Sequence, residues 1–300
     1  MDPKFPPELE RKILELTSAL HPRSMPKLLL VAQRVKTWIQ PLLYRVLSIA
    51  ASDPGLEHTG DNVVPILRHP FADIERLLAF ASTPESSSLR ENVSHLRFPS
   101  SCLPRHVTQL LSACPAAIDV VLPMHTLPGN ILTLLQPLPL QRLVVYWRRL
   151  FPIEAARQML SSCAKFTHLT HLEIRDWREH DEPLTGWQGL ALIPKLTHIY
   201  FHELDWMISV IMLCLQHCKL LEALVIACST PSHIEMTQKR LESSLPGDPL
   251  FLVLPSQPPA CARDGEDFWA AADRHVKKRR SGATNDYVAG LENYDSLTFE

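Results

Sequence analysis

Residues 169–174 read LTHLEI and residues 196–201 read LTHIYF. In both segments apolar residues occupy the first, fourth and sixth positions, and the same pattern recurs at residues 140–145 and 221–226. The central residues of these four segments, Leu143, Leu172, Ile199 and Leu224, follow one another at steps of 29, 27 and 25 residues. A further copy lies at residues 93–98, and weaker ones lie at 117–122 and 250–254. Such near-equal spacing predicts an array of repeated supersecondary units.

Helix-like stretches lie between these segments. They span residues 104–114, 153–163, 208–218 and 233–245, each with apolar residues at steps of three and four. A strand followed by a helix, repeated, predicts an α/β fold in which a parallel sheet carries helices stacked on one side. Because one unit cannot bury its own apolar face, the units are expected to stack into an irregular solenoid. A plain α/β domain stays open as an alternative.

Strand alternation defines a candidate binding face. Leu143, Leu172, Ile199 and Leu224 would point into the core and their neighbours outward, because successive side chains alternate between the two faces of a strand. Aromatic residues and arginine dominate protein-binding hot spots, so the outward face is predicted to recognise a protein. The candidate residues are His171, Glu173, Arg175, His198, Tyr200 and His202, with His95 and Arg142 in the column of His171.

Three tryptophans, Trp147, Trp177 and Trp206, follow the predicted strands at similar offsets. One interpretation places them on the rim of the outward face. The other makes them loop anchors that pack on the edge of the solenoid, and for any single tryptophan this second interpretation is favoured.

Composition excludes several classes of protein. The chain has 300 residues, of which 46% are hydrophobic, so it can bury a sizeable core and is not disordered throughout. A formal net charge of −2 gives no indication of nucleic acid or an anionic membrane as a partner. The longest apolar stretch, residues 207–215, is too short to cross a bilayer, and no targeting segment is evident. We therefore expect a protein of the cytoplasm or nucleus whose seven cysteines are reduced thiols.

Few residues point to catalysis or to a metal. The chain has nine glycines, and its sequence contains neither a glycine-rich phosphate loop nor a nucleophile elbow. Cys214, His217 and Cys218 form one candidate ligand group, and His168 with His171 forms a second. Structural zinc needs four ligands, usually from two matched pairs, so buried thiols and strand-flanking histidines explain these residues better. We expect no metal, no cofactor and no enzyme activity.

The N-terminal region differs from the repeats. Residues 5–16 read FPPELERKILEL, and Leu9, Ile13, Leu16 and Leu20 form one apolar stripe of a helix that Pro6 and Pro7 start and His21 and Pro22 end. Residues 27–47 read KLLLVAQRVKTWIQPLLYRVL, with apolar residues again at helical spacing. This second run is expected to cover the stripe, with Pro41 restarting the helix. A helical cap that only shields the next domain is the alternative.

These residues resemble the F-box family, which typically shows Leu-Pro, Glu-Leu, Ile-Leu, a valine-containing run, a tryptophan and a leucine-aromatic pair. The corresponding residues here are Phe5-Pro6, Glu8-Leu9, Ile13-Leu14, Leu30-Val31, Trp38 and Leu43-Tyr44. Phe5 departs from the usual leucine. The sequence of residues 28–47 is most similar to that of F-box proteins of mushroom-forming fungi. The resemblance implies binding to a Skp-type adaptor, and through it to a cullin, by Phe5, Pro6, Leu9, Ile13, Leu14, Val31, Trp38, Leu43 and Tyr44.

Together the two regions resemble F-box proteins with leucine-rich repeats, although no asparagine occupies the turn position after any strand. The resemblance implies a substrate-receptor subunit of a Skp, cullin and F-box type ubiquitin ligase, with an unknown target protein and without a nucleic acid or membrane partner. A protein-interaction scaffold with a degenerate F-box, outside ubiquitin chemistry, is the alternative.

The expected organisation has five parts. An F-box-like module of three helices spans residues 3–49, a connector 50–70 and a degenerate leucine-rich-repeat solenoid 71–262. A C-terminal helix at 263–280, with Phe268, Trp269, Ala272 and Val276 on its apolar side, is expected to cap the open end of the solenoid. Residues 281–300 would be a mobile tail. The run from Lys277 to Arg280 is either a nuclear-import signal or a set of cations that complements the helix dipole.

Overall fold

A computed structural model describes residues 5–21, 24–50, 67–70, 74–81, 83, 87–123, 127–151, 156–175, 187–202, 208–228, 230–244, 250–255 and 268–284. This described part is an α/β structure with twelve α-helices and nine β-strands. The chain divides into two compact units, Met1–Leu140 and Gln141–Glu300. The division falls inside the segment 71–262 that was expected to be one solenoid.

Three helices open the first unit. α1 spans Pro7–Leu20, α2 spans Met25–Leu28 and α3 spans Gln33–Tyr44. The predicted start and end of α1 are confirmed, because a proline stands in its first turn and its last turn closes with a bond from His21 N–H to the Thr17 carbonyl. The expected restart at Pro41 is wrong, since Pro41 lies inside α3. Its missing N–H removes only one late helical bond, and the packing of Ile39 and its neighbours holds the helix together.

Four parallel strands complete the first unit, in the order β2-β1-β3-β4. They are β1 Val46–Ala50, β2 Leu67–Pro70, β3 His95–Arg97 and β4 Asp119–Val121. Between and after them lie α4 Ile74–Ala81, α5 Ser87–Asn92, α6 Pro104–Ala113 and α7 Ile131–Leu135. The connector prediction is wrong for β2, which pairs with residues 47–50 of β1. The rest of the connector, residues 51–66, lies outside the described residues.

The second unit contains five parallel strands in chain order. They are β5 Arg142–Val145, β6 His171–Ile174, β7 His198–His202, β8 Ala223–Cys228 and β9 Phe251–Pro255. Leu143, Leu172, Ile199 and Leu224 stand directly opposite one another across β5 to β8. This confirms that the four segments are neighbouring parallel strands in the predicted register. All four leucine and isoleucine side chains are buried.

Helices connect these strands. They are α8 Trp147–Leu150, α9 Ala156–Cys163, a 3₁₀ helix Gln188–Leu192, α10 Ile208–His217 and α11 Pro231–Ser244. The thiol of Cys228, an inward residue of β8, lies 3.6 Å from the hydroxyl of Thr237 on α11. The helices at 208–218 and 233–245 are thus confirmed, and α11 packs on the inward side of the sheet.

β9 departs from the predicted alternation. Leu252 stands beside the outward residue Val225, while Phe251 stands beside the inward residue Leu224. The weaker repeat copy at residues 250–254 is therefore shifted by one position relative to the other strands, because its central residue Leu252 lies on the outward side. Both faces of this part of the sheet are apolar and covered, so the alternation of residue types that normally reveals register is weak here.

The last helix, α12, spans Phe268–Arg280. Its Trp269 and Ala272 form a buried cluster with Tyr200, Val225, Ala227 and Leu252, all outward residues of β7, β8 and β9. The predicted helix exists, but it lies across the outward face and does not simply close the end of the sheet. The predicted tail falls mostly on residues 285–300, outside the described part of the chain.

Candidate interaction surfaces

Helix α1 carries an exposed row of large apolar side chains. The exposed fractions are 51% for Leu9, 51% for Ile13, 60% for Leu16 and 66% for Leu20, and Phe5 just before the helix is 58% exposed. We call Leu9, Ile13, Leu16 and Leu20 the apolar row. The expectation that the second run of residues covers this row is wrong.

A different side of α1 makes the internal contacts. Leu14 packs on a cluster formed by the fully buried Met25, Val35 and Ile39, and Ser18 is buried beside it. Arg34 of α3 donates to the Glu10 carboxylate at 2.8 Å, which joins α3 to the same side of α1. Positions 10, 14 and 18 recur once per turn, so they form one stripe and leave the apolar row outside.

The nine predicted adaptor-binding residues fall into two groups. Phe5, Leu9, Ile13 and Val31 are exposed, and Pro6 begins α1 at the surface. The second group supports the three helices from within: Leu14, Trp38 and Leu43 pack against the buried cluster, and Tyr44 is half-buried. A partner that binds this surface would therefore contact the first group directly. The second group holds in place the helices that carry the first.

The outward face of the second unit has the predicted columns. His171 stands opposite His198, and Glu173 stands opposite Tyr200. The two imidazole rings stack with centroids 4.2 Å apart and an interplanar angle of 10°. Each ring is anchored by the preceding residue, since Nδ1 of His171 lies 2.8 Å from the Thr170 hydroxyl and Nδ1 of His198 lies 2.7 Å from the Thr197 hydroxyl.

Helix α12 covers His198 and Tyr200 on this face, and its Trp269 also contacts His171. The Trp269 ring meets His171 edge-on at 4.9 Å and His198 at 5.5 Å. Asp273 of the same helix lies 2.7 Å from Nε2 of His198. His198 and Tyr200 are consequently only 4% exposed each. The expectation that these two candidate residues are exposed is wrong, because an apolar helix face occupies the surface they were expected to offer.

Three of the other candidates form a polar cluster. Nε of Arg175 donates to Oε1 of Glu173 at 2.7 Å, and Nε2 of His202 lies 3.0 Å from the same oxygen. We call Glu173, Arg175 and His202 the Glu173 cluster. Burial raises the pKa of Glu173, but the bond from His202 and the charge of Arg175 outweigh burial and hold that pKa below its ordinary value.

Tyrosines border this cluster. The ring of Tyr200 meets His202 edge-on at 4.8 Å. Burial, reinforced by the Glu173 carboxylate, raises the pKa of the Tyr200 phenol well above its ordinary value, so the hydroxyl stays protonated at neutral pH. Tyr146 and Tyr200 both lie close enough to the Arg175 guanidinium to interact with it electrostatically.

Trp147 is a core residue and does not rim the outward face. It is 2% exposed and stacks on Trp187 at 6.2 Å, and Trp187 meets the inward residue Phe201 edge-on at 6.1 Å. The rim interpretation is therefore wrong for Trp147, whose ring packs in the buried core of the second unit. Trp177 and Trp206 lie outside the described residues.

The other histidine of the predicted column lies in the first unit. His95 of β3 stands opposite Asp119 of β4, and its Nδ1 lies 3.0 Å from the Asp119 carboxylate. Both side chains are mostly buried, with exposed fractions of 20% and 15%. His95 and Asp119 are therefore hydrogen-bond partners of each other across β3 and β4.

The candidate metal ligands come together only in part. Cys214 and Cys218 share a hydrogen bond on α10, which raises the pKa of Cys214 and lowers that of Cys218. Within the described ranges, no group of three or more His, Cys, Asp or Glu side chains is placed to hold a metal ion. The six cysteines that the structure describes are free thiols, and all of them are buried. None of the described helices combines the length and apolar character needed to cross a membrane.

The basic run at the end of α12 is part of the folded structure. Arg279 is 8% exposed, and Arg280 donates to the carbonyl of Glu222 at 3.4 Å. Gly282, with a φ of +72°, ends the helix in the left-handed conformation, and bonds from its N–H to Arg279 and from Ala283 to Lys278 close the last turn. Arg279 and Arg280 are therefore engaged within the folded chain, while Lys277 and Lys278 are exposed.

One feature of the sequence indicates that a further element covers the outward face. β8 reads ALVIAC, which is apolar on both faces, and all six of its residues are buried. A strand with one solvated face would alternate with polar residues. The outward positions Val225 and Ala227 thus indicated that something covers the sheet there.

A scan against protein-family models finds no match to this chain, and no curated protein matches its sequence.

Proposed function

We propose that this protein is the substrate-receptor subunit of a Skp, cullin and F-box type ubiquitin ligase, and that the apolar row of α1 docks on the adaptor. The observation that carries the proposal is the exposure of this row. Seven of the twelve large apolar side chains that are exposed in the described chain lie between Phe5 and Val31. Concentrated exposed apolar surface marks an interaction site.

The exposed row favours docking over simple shielding. A helical cap that only protects the next domain would bury its apolar stripe, whereas Ile13 is 51% exposed and Leu16 is 60% exposed. Covering the exposed half of each such side chain contributes about 1 kcal/mol. The internal contacts of Leu14 hold α1 in place without using the row. A partner helix or groove would therefore meet a surface that is already formed.

The repeat region supplies the second half of the proposal. Neighbouring parallel strands at steps of 29, 27 and 25 residues support an irregular leucine-rich-repeat arrangement. The outward face would hold the target protein. The mechanism is proximity: the ligase's transferring enzyme gains a high effective concentration near the lysines of the bound target. Ubiquitin transfer takes place on other subunits, in the cytoplasm or nucleus, and this chain needs neither a catalytic group nor a cofactor.

Co-purification with a Skp-type adaptor tests the proposal. The full chain is co-expressed with the adaptor, and the complex is measured by size-exclusion chromatography. The double variant Leu9→Asp, Ile13→Asp places charges in the apolar row and should abolish the complex. The matched control is Leu220→Asp, which charges an equally exposed leucine, 56% exposed, in the second unit and should leave the complex intact.

Two outcomes contradict the proposal. The unmodified chain eluting alone in the presence of excess adaptor would favour the scaffold alternative, in which the same row binds a protein outside the ubiquitin system. A complex that survives the double variant would move the docking surface away from α1. Circular dichroism of each variant separates loss of binding from loss of folding.

A further inference from the structure

Arg175 is the most accessible charged group of the Glu173 cluster. Its side chain is 39% exposed, compared with 26% for His202 and 19% for Glu173. The backbone N–H of Arg175 donates to the Val145 carbonyl at 3.0 Å, so the residue extends the pairing of β6 with β5. Arg175 is therefore held by the sheet at its backbone and presents its guanidinium on the outward face.

The Glu173 carboxylate fixes the orientation of the Arg175 side chain. Only Nε of the guanidinium is used in this contact, at 2.7 Å. The two terminal nitrogens have no partner among the residues that the structure describes. A guanidinium held through Nε presents these nitrogens as a planar fork, the geometry that binds a carboxylate or phosphate by two parallel hydrogen bonds.

His202 holds Glu173 in place from the other side. Its Nε2 lies 3.0 Å from Oε1 of Glu173. A carboxylate with a pKa below its ordinary value is ionised at neutral pH and only accepts hydrogen bonds, so Nε2 must carry the proton. One oxygen of Glu173 thus receives two donors, and its negative charge is largely compensated. The exposed end of the cluster is the cationic fork of Arg175.

We propose that Arg175 is the anion-recognition point of the outward face and binds a carboxylate or phosphate group on a segment of the target protein. This inference rests on the proposed function, because it names the chemical group by which a target would be held. A cationic ligand is disfavoured, since it would have to displace Arg175 from Glu173. The residues His198 and Tyr200 are covered by α12 and do not contact the target.

Side-chain nuclear magnetic resonance of the full chain tests the inference without a known target. The Nε–H signal of Arg175 is followed while a short peptide with adjacent glutamates, the same peptide with phosphoserine, or a lysine peptide is added. The acidic peptides should shift this signal in a saturable way, and the lysine peptide should not. The stronger of the two acidic peptides distinguishes a carboxylate from a phosphate ligand.

Variants make the test specific. Arg175→Gln should weaken binding of the acidic peptide by about tenfold or more, followed through backbone signals of the neighbouring strands. Arg175→Lys keeps the charge but loses the fork, so it should weaken binding by less than Arg175→Gln. Lys239→Gln removes a charge from the exposed surface of α11, which packs on the inward side, and should leave binding unchanged.

The outcomes separate this inference from the proposed function. Absence of a saturable response below about 10 mM peptide, or an equal response in Arg175→Gln, overturns the anion site. Adaptor binding by the same variants is measured in parallel and should be retained, because it depends on the apolar row. If the acidic peptides do not bind but the adaptor does, only the anion site is contradicted. If the peptides bind but the adaptor does not, only the proposed function is contradicted.

Discussion

Two isoleucines of the N-terminal helices illustrate how burial divides structural from surface residues. Ile39 of α3 is fully buried beside Met25 and Val35, while Ile13 of α1 is 51% exposed. Replacing Ile39 by alanine should lower the free energy of unfolding by roughly 2 to 5 kcal/mol, through lost transfer energy and a cavity. Ile13→Ala should change it by less than about 0.5 kcal/mol.

Urea unfolding of the two variants checks this expectation. Equal destabilisation by both substitutions would mean that Ile13 packs internally, and the apolar row would lose its role as a free surface. The comparison also separates binding from folding, because Ile13→Ala should reduce adaptor affinity in a protein of unchanged stability.

Glu173 gives a prediction that depends on pH. Its pKa in the folded chain lies below the ordinary value, although burial alone would raise it, because His202 and Arg175 favour the charged form. A lowered folded-state pKa contributes stability that is present above the unfolded-state pKa, about 4.3. That stability is lost as the pH falls through the folded-state pKa. The stability lost on Glu173→Gln should therefore be largest at neutral pH and should shrink in acid.

Urea midpoints at several values between about pH 7 and pH 3 measure this difference. The control is Glu235→Gln, an exposed carboxylate of α11, which should change stability by less than about 0.5 kcal/mol at any of these values. A Glu173→Gln difference that does not change with pH would show that the carboxylate contributes by shape and packing, not by its charge.

Residue positions on the outward face could be predicted from the sequence, but their exposure could not. Alternation correctly placed His171, Glu173 and Tyr200 on one face, because a slip by one residue would bury them and expose Leu172 and Ile199. Whether such a residue meets solvent depends on a helix 70 residues away in sequence, with Trp269 closing on His198. Local patterns contain no information on which element covers a face.

At the scale of elements, β8 and α12 depend on each other. Ala223, Val225 and Ala227 form an apolar outward stripe on β8, and Trp269 and Ala272 supply the matching stripe on α12. A helix of this length is marginal alone in water, so α12 owes its stability to this packing. The sequence predicted both elements and their boundaries closely but not the contact between them, because the apolar outward residues of β8 indicate that the strand is covered without identifying the element that covers it.

Trp269 should be the residue on which the docking of α12 depends. It is 8% exposed and contacts His171, His198 and Tyr200. Trp269→Ala should cost roughly 3 kcal/mol or more in the free energy of unfolding, because a large ring leaves a cavity over the sheet. Lys277→Ala, an exposed change in the same helix, should cost less than about 0.5 kcal/mol.

Hydrogen exchange of the outward face separates local release of α12 from global destabilisation. In Trp269→Ala, amides of α12 should exchange faster while those of β5 and β6 keep their protection. Uniform loss of protection would show that α12 is integral to the core of the second unit. Unchanged stability and exchange would contradict the packing described for Trp269.

At the scale of the whole molecule, spacing was the most informative feature of the sequence. Steps of 29, 27 and 25 residues leave room for a crossover helix, so parallel strands in chain order followed directly. The division at Leu140 could not be predicted, because the strand segments on both sides of it have the same residue pattern. The short strands β1 and β2 were also missed, because neither of them belongs to the repeated residue pattern.

The burial of the thiols gives a prediction for the complete chain. Burial raises the pKa of Cys102, Cys114 and Cys163 to about 12 each, so at pH 8 almost no reactive thiolate is present at these positions. A Cys261→Ser background removes the one cysteine outside the described residues. In this background every remaining thiol except Cys218 should react with a disulfide reagent only as fast as the fold opens.

Labelling followed by mass spectrometry at increasing urea checks the thiol prediction. Cys218 should react first, because its hydrogen bond from Cys214 lowers its pKa, whereas burial and the same bond raise the pKa of Cys214. If the two units unfold independently, the first-unit thiols Cys102 and Cys114 should become labelled in a separate step. If unfolding is one cooperative transition, they should become labelled together with the others. Rapid labelling of all six in the native protein would contradict the buried core in both units.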